Sequence, residues 1–201
     1  MAKFESRFLS LLRPDADLLP TLEKFKDITI HDVERELNKI MGLDMYLSKR
    51  NYVKNWDHTR PEERHDVSVN RNGVAVAHIK PERIKYVIEE VAYWRKANAI
   101  HNWFVKNCQG GVDECQESEV SRENLQDLLG IINEILALPA GEGRDKLAGE
   151  KLPSVAGFFF GDTEIGDYYY EDLEFTQEVL TKILAEPESD TFDGFIYQSS
   201  W

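Results

Sequence analysis

The chain is poor in the features that announce a familiar chemistry. Of its 201 residues only two are cysteine, Cys108 and Cys115. Two thiols make no disulfide framework, and a Cys-x6-Cys pair with no nearby histidine is a poor zinc signature, so both are read as free thiols. No apolar run approaches the roughly 18 to 20 residues that cross a bilayer, and Met1-Ala2-Lys3-Phe4-Glu5 lacks the apolar stretch of a secretion signal. These absences predict a cytoplasmic protein with no membrane partner. Walker-type and dinucleotide-type glycine loops are missing, and no serine sits in a Gly-x-Ser-x-Gly turn. A nucleophilic or nucleotide-hydrolysing enzyme of a familiar class thus has no support. His31, His58, His65, His78 and His101 show no close ligand spacing, so neither metal nor cofactor is expected.

What is present is a globular composition, 42% hydrophobic and 30% charged, in a chain long enough for one substantial domain. The net charge of −13 is uneven. Residues 41–107 hold 12 Lys and Arg against 8 Asp and Glu, whereas residues 108–201 hold 5 against 21. Either the two halves fold together and partly neutralise each other, the excess charge favouring solubility, or a carboxylate-rich surface attracts a basic partner. Duplex DNA is disfavoured, because phosphate attraction needs concentrated positive charge.

Residues 1–40 read as a helical N-terminal extension, with Phe4, Phe8, Leu11 and Leu12 at helical spacing. From Met41 the texture changes. Leu43, Met45 and Leu47 alternate with polar neighbours as in a strand with one buried face, and Asn72-Gly73 between two valine-rich runs signals a tight hairpin. A long helix is expected from Pro81 to Asn107. Its stripe Ile84, Ile88, Val91, Arg95, Asn98 and Asn102 falls within an arc of roughly 80° at about 100° per residue. A guanidinium and two amides would then point where core side chains point, with His101 one step aside. Buried polar groups need partners, so these four residues either join an internal hydrogen-bond network, the amides tying down loops and Arg95 pairing with a carboxylate, or form a candidate ligand site.

Ser121 caps a further expected helix bearing Leu125, Leu128, Leu129, Ile132, Ile135 and Leu136. Residues 139–154, with three glycines and Pro153, read as a loop. A last helix is expected over 171–186, and Phe195-Ile196-Tyr197-Gln198 as a strand. The stretch Gly161 to Glu174 concentrates six carboxylates and three tyrosines. It does not fit a calcium loop, since Asp167 and Leu173 stand where glycine and glutamate are required. Asp162, Glu164, Asp167, Tyr169 and Glu171 are the candidate partner-binding residues, tyrosine being suited to interfaces.

Three motifs carry a resemblance: Met41-Gly42-Leu43-Asp44-Met45-Tyr46-Leu47, the run Trp94 to Val105, and Gly157 to Thr163 with Tyr170-Glu171-Asp172-Leu173. Together they resemble a family of uncharacterised small proteins of bacteriophages and bacteria over residues 41–201. The resemblance implies a phage setting and transfers no catalytic residue.

The reading is an α+β domain over 41–201, a small antiparallel sheet packed against two to three helices, with the helical segment 1–40 before it. Binding is favoured over catalysis. The expected function is that of a phage accessory or anti-defence inhibitor, engaging a basic host or defence protein through the acidic, tyrosine-bearing surface. The alternative is a pocket for a nucleotide-like small molecule, or for processing a phosphoester, centred on Arg95, Asn98, His101 and Asn102.

Overall fold

In the computed structural model, residues 42–157, 163–187 and 194–201 are described, all within the unit Met41–Trp201. The expected helical segment 1–40 lies outside them, as does Asp162. Strand β1 (Asp44–Tyr52) follows the alternation of its sequence, with Leu43, Met45 and Leu47 fully buried. The Asn72-Gly73 hairpin also forms, between β2 (Asn70–Arg71) and β3 (Val74–Ala75), and both turn residues take the positive φ of a type I′ turn, +52° and +78°. It is an exposed two-stranded ribbon, separate from the main sheet.

The expected helix 81–107 is three elements. Pro81–Arg83 is a single 3-10 turn, Tyr86–Arg95 is strand β4, and only Asn98–Cys108 is helical, as α1. The run Tyr86 to Trp94 is rich in aromatic and β-branched residues, which suit a pleated surface. β4 pairs antiparallel with β1, Met45 opposite Trp94 and Leu47 opposite Ala92, and this pairing supplies the hydrogen bonds a helix would have made internally. A register shift at Leu47/Ser48 leaves Val91 as the extra residue of a bulge. Ile88, expected in the apolar stripe, is 64% exposed on the strand.

Strand β5 (Ser118–Val120), helix α2 (Arg122–Leu136), helix α3 (Glu142–Lys151), helix α4 (Asp167–Ala185) and strand β6 (Gly194–Ser200) complete the unit. The fold is α+β: a four-stranded antiparallel sheet in the order β4-β1-β6-β5, with four helices. α3 corrects the reading of residues 139–154 as loop, and α4 begins four residues before the expected start. Among the described residues no helix is long and apolar enough to cross a membrane.

The core lies between one sheet face and the helices. Phe104 of α1 stacks on Tyr197 of β6, ring centroids 4.1 Å apart and 9° from parallel. The Trp94 indole N–H donates to Thr176 Oγ1 of α4 at 2.9 Å, fastening that helix to β4. Burying side chains of this size contributes on the order of 2 to 3 kcal/mol each before entropy is counted.

Candidate functional site

The site is built on the turn from β4 into α1. The Lys96 N–H donates to Leu43 O at 2.8 Å, extending the β1–β4 ladder, and Lys96 itself takes φ +61°. A left-handed lysine costs on the order of 1 kcal/mol. Ala97, at φ −76° and ψ 72°, centres an inverse γ-turn closed by Asn98 N–H to Lys96 O at 2.9 Å. The chain thereby reverses within two residues. A Cβ on Gly42 would lie 2.8 Å from Lys96 Cε and 3.4 Å from Arg95 Nη2. Absence of a side chain there lets both cationic chains lie back over the backbone.

Between this turn and the start of α4 opens a cavity of about 510 Å³, within the size range of small-molecule sites. One wall carries Arg95, Lys96 and the first residues of α1, namely Asn98, Ala99 and Ile100. That helix starts with no side-chain cap and no acidic residue in its first turn, and its first residues line the cavity, so its positive dipole end lies at this wall. The opposite wall carries Glu164, Asp167, Glu171 and Asp172, with Tyr168 among them. Burial first, then the charge of Glu171, pushes the Asp172 carboxyl up to about 6. The Asp172 carbonyl accepts from Thr176 Oγ1 at 2.6 Å, so the hydroxyl that receives Trp94 also steadies this turn of α4.

The two candidate residue sets, far apart in sequence, therefore meet in one cavity, but not every member faces it. Arg95 is exposed at the end of β4, and Asn98, 4% exposed, lines the space. His101 and Asn102 are turned into the interior. Asn102 Nδ2 donates to Pro153 O at 2.8 Å, tying α1 to the segment after α3. His101, 2% exposed, lies 2.7 Å by Nδ1 from Tyr197 Oη and 3.0 Å by Nε2 from Asp113 Oδ2. A neutral ring with Nε2–H donating to the carboxylate and Nδ1 accepting the tyrosine O–H satisfies all three groups. Burial lowers the His101 pKa against the opposing pull of Asp113, which agrees with that neutral form.

Of the partner-binding set, Glu164, Asp167 and Glu171 are exposed around the cavity. Tyr169 is buried instead, its hydroxyl donating to Leu152 O at 2.9 Å, and burial raises its pKa. Its neighbour Tyr168 is the exposed ring, at 81%. Lys96 and Asp172 were missed as site residues. Asp167, Tyr168, Glu171 and Asp172 have the i, i+1, i+4, i+5 spacing of one helical face, a signal readable only once the helix is known to begin at Asp167.

Cys108, half-buried, has its thiol pushed up to about 11 by burial and is a poor nucleophile. Among the described residues no group of three or more His, Cys, Asp and Glu could hold a metal ion. The arrangement can grip an anion at the cationic wall and accept N–H or O–H donors at the acidic one. No protein-family model matches the chain, and no curated protein and no solved structure matches it.

Proposed function

We propose that this protein binds a small polar ligand in the cavity, one with an anionic group at one end and hydrogen-bond donors at the other, as a nucleotide or cyclic nucleotide has. The observation that carries this reading is that the cationic and the acidic residue sets line one open-mouthed cavity. Arg95 and Lys96, with the start of α1, receive the phosphate. Carboxylates of α4 accept from the amino groups of the base, and Tyr168 offers a ring face at the rim.

A thermal-shift screen of nucleoside phosphates and cyclic nucleotides tests it. At a ligand concentration 100 times the Kd, binding adds about 2.7 kcal/mol of stability. Arg95→Ala should remove most of that shift, measured against the variant's own unliganded melting temperature. A screen in which no such ligand stabilises the protein would overturn the reading.

The exposure of Tyr168 beside Glu164, Asp167 and Glu171 favours a second reading. In it the protein is a phage accessory or anti-defence inhibitor in the bacterial cytoplasm that docks on a basic host or defence protein. Tyr168 then replaces Tyr169 as the aromatic anchor. Association would be steered by charge and would slow as salt rises. A partner is sought by affinity capture from host lysate, and a rate of association with it that ignores ionic strength, or that survives Tyr168→Ala together with Glu171→Lys unchanged, argues against this reading.

A further inference from the structure

The geometry points to a second binding surface, for a short single-stranded stretch of nucleic acid, at the end of the sheet remote from the cavity. The sheet turns Met45, Leu47, Ala92 and Trp94 toward the helices, so alternation puts Arg50 and Tyr52 of β1 and Tyr86 of β4 on the opposite face. There Tyr52 lies across from Tyr86, ring centroids 5.3 Å apart and edge-on. The Arg50 guanidinium stands 5.1 Å and the Lys85 ammonium 4.9 Å from the centroid of Tyr86. Just beyond the strand, the Trp56 indole N–H donates to Tyr52 Oη at 2.6 Å, and Lys54 Nζ lies 4.7 Å from the Trp56 ring. Trp56 is 50% exposed. A cleft of about 720 Å³ opens over these groups, bounded on its far side by Glu119, Ser121 and Asn124.

Three cations thus interleave with three aromatic rings. The local charge is unusual for this chain: residues 49–86 hold nine Lys and Arg against five Asp and Glu, in a protein of net charge −13. Phosphate attraction alone would explain the cations, and an acidic peptide would use them equally well. The rings decide between the two, because unpaired bases stack on aromatic faces while cations alongside hold the backbone. A duplex keeps its bases stacked internally and cannot present them. Glu119, 91% exposed, sits 3.7 Å from Arg50; a pair so exposed is weak and yields to a phosphate. Nine residue steps of β4 separate Tyr86 from Arg95, about 30 Å of strand, so this surface stands or falls independently of the cavity.

The test is fluorescence anisotropy of labelled twelve-nucleotide oligo-U and oligo-dT titrated with the full chain at low ionic strength. Saturable binding is expected, falling with salt at a log–log slope near −2, as roughly three phosphate contacts on a single strand require. Trp56→Ala and Lys85→Glu should each weaken it about tenfold, whereas Lys146→Glu, the same charge change at an exposed position of α3, should not. No binding by either oligonucleotide, indifference to Trp56→Ala, an equal loss in Lys146→Glu, or equal competition by a poly-glutamate peptide or a duplex would each overturn the assignment.

Discussion

Asp113 gathers two buried polar side chains, His101 and Ser199, on one carboxylate. Besides the ring of His101, its carboxylate accepts from Ser199 Oγ at 3.0 Å and from the Trp201 indole N–H at 2.7 Å, holding the terminal residues to the segment after α1. Asp113→Ala strands a buried imidazole N–H and a buried hydroxyl at once. A loss on the order of 2 to 4 kcal/mol is expected, read as a shift in the urea midpoint. Asp172 acts in the opposite sense. Its folded pKa, about 6, lies above the ordinary carboxylate value, so the folded state holds the extra proton between about pH 4 and 6. The contribution is therefore full below that window and is lost as pH rises through it. Asp172→Asn should become stabilising relative to the parent by about 1 to 2 kcal/mol at pH 7, after allowing for partial solvent screening. Little difference should remain at pH 4, and urea unfolding at the two pH values measures this.

At the scale of elements, the best-marked is α2. Ser121 Oγ accepts from Asn124 N–H and the Asn124 side chain accepts from Ser121 N–H, both at 3.1 Å, and Val120 and Leu125 are buried on either side of the cap. Ser121→Ala should cost about 1 kcal/mol, checked by chemical denaturation. This helix was legible because cap and stripe are both local. The β1 alternation and the Asn72-Gly73 turn were legible for the same reason. β4 was not: Ile84, Ile88 and Val91 satisfy a helical period, and only pairing with β1 makes the strand the better solution. α3 was hidden by Gly143 and Gly149 and by a face that buries only Ala148 fully. Its position against the rest of the fold, rather than its own propensity, sustains it.

Over the whole molecule, charge is the dominant long-range term. Residues 108–201 carry 21 Asp and Glu, and the exposed carboxylates of α2, α3 and α4 repel one another. Such self-repulsion lowers the stability of the compact state. Raising ionic strength from about 10 to 150 mM, which shortens the screening length from about 30 to 8 Å, should raise the melting temperature by a few degrees. A fall would mean that attraction between the basic and acidic halves outweighs the repulsion.

What the sequence determined by itself is whatever neighbours a few residues apart decide: the alternating β1, the hairpin turn, the capped α2, the absence of recognisable catalytic motifs, and the charge split. Tertiary structure alone decided that Trp94 to Asn98 is a strand end, a turn and a helix start, that Tyr169 is inside and Tyr168 outside, and that Arg95 and Asn98 face the carboxylates of α4. The reason is that strand pairing and burial are contacts between distant segments, and their free energies exceed the small local preferences by which two periodicities of the same residues could otherwise be told apart.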